Sequence, residues 1–138
     1  MSQDSDDSVS KAVLIVDDDP LIALMMSQAF EEEGYEAVVA SNANKALEVL
    51  DYLAKRIRLV VTDIMMPGSM NGLDLGHLIA ERFPHIPVIT MTGYSTEGSS
   101  GAVGPVLHKP FAMEKMIQVA LRIIDNGLYW KKMMKPRH

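Results

Sequence analysis

The sequence predicts an α/β domain with a mostly parallel sheet and helices on both faces. Short aliphatic and β-branched runs alternate with amphipathic segments of helical length along the chain. Such runs are typical of strands buried on both faces, and the helices between them supply the crossovers that a parallel sheet needs. The 138 residues are enough for one domain with a hydrophobic core.

Five strands are predicted from these runs. In chain order they are residues 12–16, residues 35–40, a run that ends at Asp63, residues 86–91 and a short run over residues 106–108.

Four helices are predicted between and after these strands. Asp19 and Pro20 begin the first, because aspartate caps a helix and proline suits the first turn; Gly34 ends it. Pro84 prevents the third from continuing past Phe83. Ser41 or Asn42 is predicted to cap the second helix, and the last helix is predicted to close at Asn126-Gly127. The predicted core-facing positions are Leu21, Leu24 and Met25 in the first helix; Ala46, Leu47, Leu50, Leu53 and Ala54 in the second; and Met113, Met116, Ile117, Ala120, Leu121 and Ile124 in the last.

The composition excludes several classes of protein. A net charge of -5 argues against nucleic-acid binding. The absence of cysteine excludes disulfide and thiolate chemistry. No apolar stretch approaches the ~20 residues that span a bilayer, and residues 1–10 do not resemble a signal peptide. We therefore expect a cytoplasmic protein that binds neither nucleic acid nor membrane.

Polar residues at the strand ends point to one site. Five polar residues stand at or just after the predicted strand ends: Asp17, Asp18, Asp63, Thr92 and Lys109. Because ligands bind outside the carboxyl ends of parallel strands, these five residues are expected to share a pocket. Clustered carboxylates repel one another unless a cation neutralises them or some of them take up protons. A small ligand set made only of oxygen atoms suits Mg²⁺. With a lysine and a hydroxyl added, the set favours phosphoryl transfer onto an aspartate.

The motifs around these residues resemble those of receiver domains of two-component response regulators. The resemblance extends over about residues 11–126 and is carried, in order, by Val16-Asp17-Asp18, Thr62-Asp63-Ile64-Met65-Met66-Pro67-Gly68, Asn71-Gly72-Leu73-Asp74-Leu75, Met91-Thr92-Gly93-Tyr94 and Lys109-Pro110-Phe111. It implies a flavodoxin-like doubly wound sheet of order 2-1-3-4-5 and a cis peptide bond before Pro110.

The resemblance also implies a role for each residue of the site. Asp63 would accept the phosphoryl group. Asp17, Asp18, Asp63 and the carbonyl of Met65 would hold Mg²⁺, while Thr92 and Lys109 would contact the phosphoryl oxygens. The phosphodonor would be a sensor histidine kinase or a histidine phosphotransfer protein. The chain would act on a downstream protein as a stand-alone receiver or phosphorelay intermediate. We expect it to be monomeric or weakly dimeric. Residues 1–10 are expected to be disordered, and residues 127–138 to form a basic tail.

Three features depart from the usual receiver pattern. Sixteen residues separate Thr92 from Lys109, and residues 95–105 are rich in glycine and serine, so the usual fourth helix is predicted to be short, mobile or missing. Val106 stands where an aromatic switch residue is usual, and Tyr94 is the candidate substitute. The loop over residues 68–72 is one residue longer than the commonest form.

Neither Met65 nor Tyr94 can orient a water molecule, so autodephosphorylation is expected to be slow. We expect no enzyme activity beyond self-phosphorylation and this hydrolysis. Two alternatives stay open: an aspartate-nucleophile phosphatase, because residues 17–19 contain an Asp-x-Asp pattern, and a receiver-like binding module that is not phosphorylated.

Overall fold

A five-stranded parallel sheet with helices on both faces forms the protein. The computed structural model describes residues 10–93 and 101–126. The strand order is β2-β1-β3-β4-β5, which confirms the predicted fold and order. The strands are β1 (Ala12–Val16), β2 (Glu36–Ala40), β3 (Ile57–Asp63), β4 (Val88–Thr92) and β5 (Val106–His108), and the helices are α1 (Pro20–Glu32), α2 (Ala43–Leu53), α3 (Gly72–Arg82) and α4 (Met113–Asp125).

Alternate residues of the central strands pack against opposite layers of helices. Val13 and Ile15 of β1 belong to the cluster formed with α1 and α4, whereas Leu14 and Val16 belong to the cluster formed with α2 and α3. Every residue of β1 is buried, as expected for a strand covered on both faces. The carboxyl ends of the strands are therefore the edge at which polar groups from β1, β3 and β4 converge.

The predicted core face of α1 is wrong. Its buried residues are Ala23, Met26 and Phe30, whereas Leu21, Leu24 and Met25 are 63%, 54% and 45% exposed. Both sets recur at helical spacing, and only contact with the sheet decides which of them is buried. The helix consequently presents an apolar surface to solvent.

The caps at the starts of the first two helices agree with the predictions. The Asp19 side chain accepts hydrogen bonds from the Leu21 and Ile22 amides. Asn42 caps α2 by accepting from Lys45 N, so Ser41 is not the cap. Asn71 and Asp74 form a reciprocal capping box at the start of α3.

Strand β4 begins later than predicted. Ile86 N donates to Phe83 O within the preceding turn, and pairing with β3 starts where Val60 N donates to Pro87 O. Strand β4 also ends later than predicted, because Thr92 is its last residue and pairs with His108 of β5.

The segment that leads into β5 is non-helical where it is described. Residues 101–105 contain only turns and bends. The neighbouring residues 94–100, which include Tyr94, lie outside the described residues, as do residues 1–9 and the predicted basic tail over 127–138. For these ranges, the prediction of a short, mobile or missing fourth helix and the predicted domain boundaries stay predictions. Within the described ranges, no helix is both long and apolar enough to cross a membrane.

Candidate functional site

Three carboxylates meet at the carboxyl edge of the sheet. Asp17 and Asp18 follow β1, and Asp63 is the last residue of the neighbouring strand β3. Each offers an oxygen, and the three oxygens lie within 4.8 Å of one another. Asp17 and Asp63 are buried, while Asp18 is exposed. Because like charges this close repel one another, the cluster is suited to a cation.

Lys109 brings a positive charge to the same cluster. Its ammonium nitrogen lies 3.2 Å from Asp63 Oδ2 and 3.8 Å from Asp17 Oδ2. The Lys109-Pro110 peptide bond is cis, as the motif resemblance implies. Lys109 N also donates a hydrogen bond of 2.8 Å to Thr92 O, so the ends of β4 and β5 are joined beside the carboxylates.

Asp17 has an incompletely satisfied carboxylate. It is 2% exposed; its Oδ1 accepts a hydrogen bond from Asp19 N at 2.9 Å, but its Oδ2 has no hydrogen-bond partner among the described residues. Burial raises the pKa of the Asp17 carboxyl above its ordinary value of 3.8, and the Asp63 and Asp18 charges add to that rise, while the Asp19 amide and Lys109 oppose it. A buried oxygen that pairs with Lys109 only at 3.8 Å and has no hydrogen-bond partner among the described residues, beside two further carboxylates, fits a hard divalent cation such as Mg²⁺.

Replacing Asp17 with asparagine should stabilise the protein when no divalent cation is present. We expect Asp17→Asn to raise the free energy of unfolding at neutral pH by about 1 kcal/mol, because a neutral amide avoids desolvation of the carboxylate. The folded pKa of Asp17 lies above 3.8, so ionisation of Asp17 lowers stability as the pH rises through and above that value. The advantage of the variant should therefore grow from acidic to neutral pH in urea titrations.

The exposed Asp18→Asn variant is the matched control, because it also removes one negative charge from the cluster. We expect it to change stability less than Asp17→Asn does. An Asp17→Asn protein no more stable than the wild type at neutral pH would contradict the electrostatic account.

The remaining predicted site residues differ in burial and in the element on which they lie. Thr92 is buried at the end of β4. Met65 is 69% exposed just after β3. Val106 is partly buried as the first residue of β5, opposite Thr90 of β4. Tyr94 lies outside the described residues, so its candidate switch role stays a prediction.

An open cleft of about 520 Å³ adjoins Asp63 and Lys109. Its other walls include Met65 and an apolar group that was assigned no functional role from the sequence: Ile22, Met25, Phe111 and Met113. The sequence feature that could have indicated this surface is the first helix, which has more apolar residues than its buried face contains. The site is therefore bordered by an apolar surface on the side of α1 and the start of α4.

Comparisons with known proteins agree with this geometry. A family profile described as the response regulator receiver domain matches residues 13–121. A putative two-component response regulator of Arabidopsis thaliana is 32% identical over 122 residues, which is 83% of this chain and 20% of that protein. The nitrogen assimilation regulatory protein NtrX of Azorhizobium caulinodans is 31% identical over 120 residues, or 83% of this chain and 26% of that protein.

Solved structures show the same fold. A CheY-like receiver domain protein from Methanospirillum hungatei JF-1 superposes with a TM-score of 0.76 at 29% identity, covering 87% of this chain and 98% of that one. The receiver domain of NtrX from Brucella abortus gives a TM-score of 0.73 at 31% identity, with coverages of 82% and 98%. The chain spans only about a fifth to a quarter of the length of the two curated relatives. It belongs to the family of response regulator receiver domains.

Proposed function

We propose that this receiver domain accepts a phosphoryl group on Asp63, in a Mg²⁺-dependent reaction, from a cytoplasmic phosphohistidine donor. The donor is a sensor histidine kinase or a histidine phosphotransfer protein, and the signal passes to a downstream protein by direct contact. The observation that carries the proposal is the Lys109 ammonium 3.2 Å from Asp63 Oδ2, within a cluster of three carboxylates. Family membership supports the same reaction.

The residues of the site have different roles in phosphoryl transfer. An Asp63 carboxylate oxygen forms a bond to phosphorus while the bond between phosphorus and the donor imidazole nitrogen breaks. Lys109 pairs with the negative charge of the phosphoryl oxygens, and the Thr92 hydroxyl donates a hydrogen bond to one of them. Asp17, Asp18, Asp63 and the Met65 carbonyl would hold Mg²⁺, which supplies further charge neutralisation at the phosphoryl group.

The surface beside Asp63 supports a protein as the phosphodonor. Leu21 and Leu24 are exposed on α1, and Met25 joins Met65 in the wall of the cleft that contains Asp63. A contiguous exposed apolar surface is characteristic of a protein contact site. We propose that the phosphohistidine-bearing element of the donor packs on this surface during transfer.

Labelling with a small phosphodonor tests the function directly. The purified chain is incubated with acetyl phosphate or phosphoramidate, with and without Mg²⁺, and its intact mass is measured. We expect one phosphoryl group per chain, formed only with Mg²⁺ and removed by base or by hydroxylamine, as an acyl phosphate is. Steady turnover of a phosphomonoester would instead support the phosphatase alternative, and failure to label under any condition would support a binding module.

Loss of the phosphoryl group by hydrolysis should be slow because Met65 offers no group that orients water. Met65→Asn places an amide at the rim and leaves the backbone carbonyl in place. We expect it to shorten the half-life of the phosphorylated protein about ten-fold, well below the full contribution of a positioned general base. Met65→Leu is the matched apolar control, and decay of the asparagine variant no faster than that of the leucine variant would contradict this assignment.

A further inference from the structure

Thr62 places a buried hydroxyl next to the phosphoacceptor. It precedes Asp63 at the end of β3 and is completely buried. Its Oγ1 donates a hydrogen bond of 2.9 Å to the Asp63 carbonyl oxygen and lies 4.0 Å from Met66 Sδ. The hydroxyl thus contacts Asp63 and Met66, between which Ile64 and Met65 lie. Neither contact takes part in the proposed transfer chemistry.

The main chain around Asp63 is held from other directions as well. Ile64 N donates to Met91 O on β4 at 3.0 Å, and Gly72 N donates to Ile64 O at 2.9 Å. The first residue of α3 therefore packs directly against the end of β3. Met65 follows directly after these two held residues.

We propose that Thr62 is a positioning residue that sets the affinity of the site for Mg²⁺. Its hydroxyl holds the Asp63 carbonyl and contacts the Met66 side chain. It thereby limits the movement of the intervening Met65 carbonyl, the main-chain ligand that the proposed function assigns to Mg²⁺. This inference rests on the proposed function for its metal ligands. Removal of the hydroxyl leaves the Asp63 carbonyl without that donor and the Met66 side chain without that contact. The loop that contains Met65 is then less firmly held, although Ile64 N still donates to Met91 O. Groups that orient metal ligands in this way typically contribute ten-fold or more to metal affinity.

Three variants test the assignment: Thr62→Val, which removes the hydroxyl at similar volume; Thr62→Ser, which keeps it; and Thr90→Val, a matched control. Thr90 is also buried and is the register partner of Thr62 on β4. Mg²⁺ dissociation constants are measured by calorimetric titration of the full chain, and unfolding is measured in Mg²⁺-free buffer. We expect Thr62→Val to weaken Mg²⁺ binding about ten-fold, with Thr62→Ser and Thr90→Val close to the wild type.

Labelling by acetyl phosphate at varied Mg²⁺ concentration supplies a second readout. Thr62→Val should need more Mg²⁺ for half-maximal labelling but reach a similar maximal rate, since Asp63, Thr92 and Lys109 are unchanged. A loss confined to folding stability, with unaltered Mg²⁺ affinity, would overturn the proposal. Equal weakening in Thr62→Ser and Thr62→Val would also overturn it, because the hydroxyl would then not be the cause.

If Thr62→Val does not fold, Thr62→Ala takes its place. The proposal then requires that serine keep the wild-type Mg²⁺ affinity and that alanine lose it; equal affinities would overturn it. Failure of the proposed function is a separate result, since a wild-type protein that binds Mg²⁺ but takes no label refutes phosphorylation. The comparison of Mg²⁺ dissociation constants among the variants still decides the role of Thr62 in that case.

Discussion

Asp63→Asn is expected to abolish phosphorylation completely. The amide keeps the shape of the side chain but carries no negative charge and is a poor nucleophile toward phosphorus, so no bond to the phosphoryl group forms. The Lys109 ammonium, 3.2 Å from Asp63 Oδ2 in the wild type, cannot compensate because it stabilises charge and does not attack. Intact mass after incubation with acetyl phosphate and Mg²⁺ should show unmodified protein, and transfer from a histidine kinase should likewise fail.

The control for this variant is Asp51→Asn. Asp51 is an exposed carboxylate on α2 that is not one of the three clustered carboxylates, and its loss should leave labelling unchanged. Wild-type labelling of Asp63→Asn would show that another group accepts the phosphoryl group, and peptide mapping would then identify it. Loss of labelling in both variants would point to an effect of net charge instead of the nucleophile.

Gly72→Ala is expected to destabilise the protein by about 3 kcal/mol, at the upper end of the range for overpacking. A Cβ atom at this position would lie 1.9 Å from the Asp63 carbonyl oxygen and 2.9 Å from Ile64 Cα. These are backbone atoms of β3 and its extension, so no side-chain rotation relieves the clash. Either α3 or the end of β3 must move, which should also weaken Mg²⁺ binding through displacement of Asp63.

Gly76→Ala in the same helix is the matched control. Its Cβ would meet side chains and no backbone atom among the contacts found, with Val103 at 3.2 Å and Val88 at 3.8 Å. Alanine is also favoured over glycine inside a helix by ~1 kcal/mol. We expect little net change in stability. Urea unfolding monitored by circular dichroism measures both variants in Mg²⁺-free buffer. A Gly72→Ala protein as stable as Gly76→Ala would refute the close packing of α3 against the phosphoacceptor strand.

Patterns within a single element were predictable because their causes are local. Asp19 and Asn42 cap their helices through bonds to amides two or three residues away, and such contacts depend only on neighbouring sequence. The buried strands were recognisable from their uninterrupted apolar runs, although β4 starts two residues later than expected. Its start depends on the turn in which Ile86 N donates to Phe83 O.

The orientation of α1 was not predictable from periodicity. Two apolar sets share the helical spacing, and the sheet buries the one that contains Met26 and Phe30. Leu21 and Leu24 therefore remain on the surface. The contribution of Met25 to the apolar wall of the cleft was missed for the same reason, since Met25 was assigned to the core.

The chain alone specifies the class of fold and the chemical groups at the ends of its strands, because alternation of elements and residue type are properties of local sequence. Only the folded arrangement decides how those groups act together. It leaves Asp17 Oδ2 buried without a hydrogen-bond partner in the described part of the chain and sets Gly72 against the Asp63 carbonyl. These contacts arise from packing between separate elements, whose distances and orientations no short stretch of sequence encodes.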